Sequence, residues 1–227
     1  MNIKRKIQSA RKLIKEGGFL FLIRFAVTKY VVKPMDAYFG ISLLSSVLSS
    51  RTPFLSSHTL DELPLVAQDE VEFLEFIELL KKEGVKEVLE IGTFRGGTSY
   101  LFYKLLNASV TTLDLNNSWF FRKVLSFVSR GQIRGIRGNS HSYETLKKVS
   151  GKNYDLLFID GDHSYEGVKN DFEMYSKLAR IVAFHDIFSE EGVSKFWSEL
   201  KASGAKTVEI VNRNNQRPLG IGILFSK

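Results

Sequence analysis

The sequence contains no cysteine. That excludes a disulfide framework, a thiolate nucleophile and a cysteine-ligated metal, and leaves Asp, Glu, His and Asn as the residues able to hold an ion. It also lacks an uninterrupted apolar run of the roughly 18 to 20 residues that a spanning helix requires. The nearest approach, FLFLIRFAVTKYVV after Gly17-Gly18, is broken by Arg24 and Lys29 and is followed by no small-residue cleavage site, so neither a transmembrane helix nor a signal peptide is expected. Two nucleotide signatures are missing as well. A dinucleotide fingerprint begun at Gly92 needs glycine where Phe94 stands, and a P-loop needs Gly-Lys-Ser/Thr where Gly97, Thr98 and Ser99 stand. No internal repeat and no long low-complexity tract is present. A reducing compartment is compatible with these absences, and the cytoplasm is the expected location.

What is present is unevenly distributed. The net charge is +7, yet residues 1–33 hold nine basic residues against the single acid Glu16, a net +8 that leaves −1 for the remainder of the 227 residues. The basicity therefore belongs to an N-terminal arm and not to the domain behind it, and nucleic acid is not an expected partner. In the arm Ile3, Ile7, Ala10 and Ile14 recur at helical spacing among Lys and Arg, which describes a basic amphipathic helix. Two readings stay open for residues 1–33: the inner face of an anionic membrane, or packing on the domain or on a second subunit of a homo-oligomer. From Gly40 to Pro64 the composition turns to Ser and small apolar residues, with Pro34, Pro53 and Pro64 as breakers, the pattern of a linker or lid. The expected division is an arm with lid over 1–64 and a catalytic domain over 65–227.

A helix is expected over 69–82, its apolar stripe built on Val71, Leu74, Ile77 and Leu80 and closed by Glu83-Gly84. Strands follow near 88–91, 109–113, 132–137, 155–159, 181–184, 207–211 and 221–225, with helices near 98–106, 118–129, 143–149, 166–178 and 192–201. Such alternation predicts an α/β, doubly wound, mostly parallel sheet with helices on both faces. The last two strands are joined by the turn-rich NRNNQRPLG, a hairpin-type return that predicts an antiparallel edge strand.

Ligands in such sheets bind beyond the carboxyl ends of the strands. There the sequence places VLEIGTFRGGTSY, a strand running through Glu90 into a glycine turn and a helix start, where free N–H groups and the helix dipole favour an anionic or nucleotide-like ligand. The second strand ends in Asp114, which can accept both hydroxyl protons of a ribose. The third ends in Gly138-Asn139-Ser140-His141, small and polar residues able to reach a base edge. The fourth delivers Asp160, Asp162 and His163 within four residues, and the fifth ends in His185-Asp186. Titratable groups crowded in this way mark functional use, and Asp160 beside Asp186 suits a hard divalent cation.

The pattern E-x-G-x-x-x-G of Glu90, Gly92 and Gly96, the Asp114 strand end, FIDGDHSYEGVKNDF and AFHDI together resemble the class I S-adenosylmethionine (SAM)-dependent methyltransferases. Among these they look closest to the macrocin-type O-methyltransferases and cephalosporin-hydroxylase-like proteins, over about residues 69–225. The resemblance implies a Rossmann-like, seven-stranded sheet with its last strand reversed. It implies SAM as cofactor, with Glu90, Gly92 and Gly96 at the methionine moiety, Asp114 at the ribose, Asn139 and Ser140 near the adenine, and Thr93, Gly97, Thr98, Leu115 and Asp160 also in the cofactor pocket. Asp162 is implied as general base, with His163 beside it as the other catalytic candidate. Mg²⁺ is implied at Asp160 and Asp186 with position 185, an acid in several metal-dependent relatives and His185 here, a softer donor. The expected reaction is O-methylation of a small-molecule or lipid-linked saccharide. The alternatives are methylation of a small phenolic without metal, oxidative chemistry like that of the cephalosporin proteins, and a SAM-binding or membrane-docking protein without turnover.

Overall fold

A computed structural model describes residues 68–94, 96–116, 126 and 129–225. The expected arm, the linker and most of the expected helix at 118–129 lie outside the described residues, as does the boundary at residue 64.

The first helix, α1 (Glu70–Lys82), starts where Asp69 accepts the N–H groups of Val71 and Glu72 at 3.0 and 3.1 Å, and ends on Lys81 and Lys82 opposite the helix dipole. Then follow β1 (Glu87–Ile91), α2 (Gly97–Leu106), β2 (Ser109–Asp114), β3 (Ile133–Arg137), α3 (Tyr143–Lys147), β4 (Tyr154–Ile159), α4 (Tyr165–Tyr175) with a 3₁₀ turn at Ser176–Leu178, β5 (Ala179–His185), α5 (Glu191–Ala202), β6 (Thr207–Ile210) and β7 (Ile221–Phe225). The seven strands form one sheet in the order β3-β2-β1-β4-β5-β7-β6. The order reverses at β1/β4, which puts the switch point, and with it the ligand crevice, at the Gly92 turn.

Phenylalanine fills both faces of the sheet. On one, Phe73, Phe76, Phe102 and Phe158 pack with ring centroids 5.4 to 6.3 Å apart, joining α1 and α2 to β4. On the other, Phe172, Phe184, Phe196 and Trp197 pack at 5.5 to 6.0 Å and hold α4 and α5 against β5. Each fully buried ring contributes about 1.5–3 kcal/mol, and Phe172 packs against them partly buried.

One expectation is corrected. The reversed strand β7 is not the edge: it pairs antiparallel with both β5 and β6, leaving β6 outermost. The reason is composition. IGILF is buried along nearly its whole length, as an interior strand must be, whereas TVEI exposes Val208 and Glu209.

Candidate active site

The glycine turn is sewn into the sheet from both sides. Gly92 N–H donates to Leu113 O and Asp160 N–H to Ile91 O, each at 2.9 Å. Gly92 has φ +97°, and a Cβ there would collide with the Asp160 carbonyl, so only glycine lets β1 and β4 close at this point. Phe94, also left-handed at φ +46°, donates its N–H to Asp114 Oδ2 at 2.7 Å, and Asn116 N–H reaches Oδ1 at 2.7 Å. These two bonds fix the Asp114 carboxylate while its remaining lone pairs stay available to a diol.

A cavity of about 600 Å³ opens over this turn, a volume suited to a ligand of nucleoside size. Of the residues expected at the cofactor, Gly92, Thr93, Thr98, Asp114 and Leu115 line it, as do Asn139, Ser140 and Asp160. Asp162 and His163 line the same cavity. Glu90, Gly96, Gly97, His185 and Asp186 are not on its wall. Gly96, at φ +74°, instead caps α2 and Gly97 begins it.

Glu90 is fully buried beneath the turn, where burial pushes its carboxyl up to about 8 against hydrogen bonds from Ser99 and Thr112. Thr112 Oγ1 donates to Glu90 Oε2 at 2.5 Å and therefore accepts from Thr93 Oγ1, also at 2.5 Å. Ser99 Oγ donates to the same carboxyl oxygen. The motif acid thus ties β1, β2, α2 and the turn together as a neutral group at pH 7.

At the other end of the cavity stands the charged cluster. Asp160 Oδ1 lies 3.4 Å from His163 Nε2 and 3.2 Å from His185 Nδ1, and Asp186 Oδ2 lies 3.7 and 3.0 Å from the same two nitrogens. Burial raises Asp160, but His185 and His163 outweigh it and hold the carboxyl at about 2. His185, 2% exposed, is lowered by burial and raised further by Asp160 and Asp186, to about 10. It is therefore a cation facing two anions. His163 is raised chiefly by its hydrogen bond to Asp160. Asp186 itself sits at φ +61°, an uncommon conformation for a non-glycine residue, with Ser189 Oγ donating to its Oδ1 at 2.5 Å. Asp162, at the mouth of α4, accepts Ser164 N–H at 3.0 Å, a bond that keeps it below the usual carboxylate range.

Asp160, His163 and Asp186 present ligand atoms within 4.8 Å of one another. Two carboxylates and one imidazole are a fitting donor set for a divalent ion. The expected ligand His185 is outside this triangle, its Nδ1 lying 3.2 and 3.0 Å from the Asp160 and Asp186 oxygens.

Gln68 and Asp171 escape the sequence reading, whereas His141 is expected at the end of the third strand. Gln68, just before α1, lines the cavity and donates its Nε2–H to Asp160 Oδ2 at 3.0 Å across 92 residues. His141 lines the cavity, with Nε2 3.3 Å from Asp171 Oδ1. Asp171 is wholly buried and raised to about 6, mainly by that burial. Asp171 was visible in principle, as an acid on the buried stripe of α4 beside Val168 and Tyr175; Gln68 carried no such signal.

Residues 89–187 match the family described as a methyltransferase domain. Among solved structures the fold is similar to an O-methyltransferase from Bacillus cereus in complex with S-adenosylhomocysteine (SAH), at 17% identity and TM-score 0.55 over 90% of this chain and 97% of that one. It is similar also to TomG of Streptomyces achromogenes, an O-methyltransferase of tomaymycin synthesis in complex with SAM, at 16% identity and TM-score 0.60 over 83% and 96%. A third, a putative caffeoyl-CoA O-methyltransferase from Staphylococcus aureus, matches at 21% identity and TM-score 0.56 over 88% and 98%. At these identities the likeness is one of fold. An uncharacterized protein, y4gI, of Sinorhizobium fredii is 27% identical over 137 residues, 52% of this chain; the match spans 15% of that longer protein.

Proposed function

We propose that the chain, whose residues 89–187 match a methyltransferase-domain family, transfers the methyl group of SAM to a hydroxyl oxygen of a small-molecule acceptor. The observation that carries this reading is one cavity joining the Gly92 turn and Asp114 to Asp160, Asp162 and His163. Asn139, Ser140 and Asp114 would hold the nucleoside part of SAM, which would supply the methyl group to the cavity that Asp160, Asp162 and His163 also line. The acceptor oxygen then attacks the methyl carbon in line with sulfur. An O–CH₃ bond forms as the S–CH₃ bond breaks, sulfur keeps the electron pair, and the hydroxyl proton passes to a base. The products are a methyl ether and SAH.

The protein's tasks are alignment and control of that proton. A divalent cation, Mg²⁺ or a softer ion, would be held by Asp160, His163 and Asp186, and when bound would orient the acceptor hydroxyl and acidify it. Asp162 is then the base, a weak one that suits an acidified hydroxyl. A second reading, transfer without a metal, is favoured by His185, whose charge already faces both carboxylates; there His163, raised by Asp160, takes the proton.

For the acceptor we propose a sugar hydroxyl, on a lipid-linked or other small saccharide at the inner face of a membrane. Support comes from the net +8 of residues 1–33 and the apolar, Ser-rich segment before Pro64. Calorimetry on cofactor-stripped protein is expected to show SAH binding; its absence overturns the methyltransferase reading. Methyl-labelled SAM with fractionated cell extract then identifies the acceptor, and label appearing in phenolics but never in saccharides removes the sugar. Turnover that survives EDTA selects the second reading.

A further inference from the structure

We propose that the cation centre at Asp160, His163 and Asp186 is built for a first-row transition metal, Mn²⁺, Co²⁺ or Zn²⁺ in type, in preference to Mg²⁺, and that His163 is the ligand that sets this preference. The inference deepens the methyltransferase reading, on which it rests only for what the ion would do once bound.

The donor atoms argue first from chemistry. Mg²⁺ is hard, takes oxygen ligands in octahedral array and gives up its water reluctantly, whereas an imidazole nitrogen suits softer divalent ions. A triangle in which one of three protein donors is His163 Nε2 is therefore a poor match for Mg²⁺.

The distances argue next. Bonds of about 2.0–2.1 Å place the donors of a tetrahedral centre about 3.3–3.4 Å apart, and those of an octahedral Mg²⁺ about 2.9 Å apart along each edge. His163 Nε2 stands 3.4 Å from Asp160 Oδ1 and 3.7 Å from Asp186 Oδ2, on the wide side of both values and nearer the first. Three protein ligands with an open position are also the form in which such ions act on a ligand.

A second, independent observation points into the cluster. His185 is 98% buried, its Nδ1 makes no hydrogen bond, and it lies within 3.2 Å of the same Asp160 and Asp186 oxygens. Together with Gln68, which takes the other oxygen of Asp160, it orients both carboxylates so that one oxygen of each converges on the His163 side. Outer partners of this kind are a common accompaniment of metal centres.

The test uses full-length protein dialysed free of metal with EDTA, titrated separately with Mn²⁺, Co²⁺ and Mg²⁺ by calorimetry, with the visible absorption of bound Co²⁺ reporting coordination. Co²⁺ and Mn²⁺ are expected to bind at least tenfold more tightly than Mg²⁺. His163→Gln should weaken Co²⁺ at least tenfold and change its spectrum. His163→Asp, which restores an all-carboxylate set, should lower the Co²⁺/Mg²⁺ affinity ratio at least tenfold relative to wild type while Mg²⁺ binding holds or improves. Because His163→Asp is expected to move the ratio while Mg²⁺ binding is kept, loss of fold does not imitate the result. A ratio unchanged in both variants, Mg²⁺ binding as tight as Co²⁺ in wild type, or no divalent binding at all overturns the proposal. SAH titrated into the same samples separates the two readings: SAH binding without metal selectivity sinks this inference alone, and no SAH binding sinks the methyltransferase reading.

Discussion

At the scale of single residues, two positions under the cavity decide whether it exists. Gly92→Ala must fit a Cβ against the Asp160 carbonyl at a φ of +97°, and the only relief is to move β1 away from β4 at the crevice. We expect a loss of about 2–4 kcal/mol in denaturant unfolding, together with loss of SAH binding; a variant with wild-type stability and affinity would show that the turn is not the cofactor's seat. Glu90 makes a different prediction, one of pH. Its carboxyl is raised by burial from 4.5 to about 8, so the folded state binds this proton more tightly than the unfolded chain. Stability from it is complete below about pH 4.5 and is lost as pH rises to about 8. Glu90→Gln keeps the neutral form at every pH. Its stability relative to wild type should therefore rise across pH 5 to 9 by a few kcal/mol, measured by urea unfolding at a series of pH values. A flat difference would mean that Glu90 is ionised in the folded protein.

At the scale of elements, most of the fold was legible because the chain states it locally. Strands β4 and β5 carry apolar runs with polar residues at their carboxyl ends, and each helix between the strands has its stripe. What was not legible depends on pairing across long separations. Nothing in NRNNQRPLG says that β7 enters between β5 and β6 instead of lying outside β6 at the edge; only the relative burial of IGILF and TVEI does. The site follows the same rule: the strand-end acids were readable, but not which imidazole meets them, since His163 and His185 both stand beside an aspartate in sequence. Gln68 was invisible because α1 is placed by tertiary contacts. Those contacts carry a prediction. Glu72, buried on α1, accepts the N–H groups of Asn212 and Gly220 at 2.8 Å each, and Asp69 takes the side-chain amides of Asn212 and Asn215. The β6–β7 connection thereby anchors the end of α1 that brings Gln68 to Asp160. Glu72→Ala strands two N–H groups, one buried and one partly buried, at a cost of about 2–4 kcal/mol. Glu72→Gln should also destabilise, because its NH₂ faces a donor in place of one acceptor oxygen. Thermal melts of both variants test this; a neutral Glu72→Gln would show that the loop holds α1 by packing alone.

At the scale of the whole molecule, the charge is divided and not spread, with +8 in residues 1–33 and −1 elsewhere. No helix among the described residues is long and apolar enough to cross a membrane. A basic amphipathic segment contributes about 1 kcal/mol per Lys or Arg near an anionic surface, and that term falls within a Debye length of about 8 Å at physiological salt. Two expectations follow for co-sedimentation of the full chain with phosphatidylserine vesicles. Binding should drop steeply between 50 mM and 500 mM salt, and should be absent on phosphatidylcholine. Reversing Lys4, Arg5, Lys6 and Arg11 to Glu changes the arm's net charge from +8 to zero and should abolish sedimentation. If the reversed chain still sediments, or salt has no effect, the arm's cations are solvated surface, and its apolar face is left as a contact for protein. The saccharide acceptor would then lose its membrane argument and stand on labelling alone.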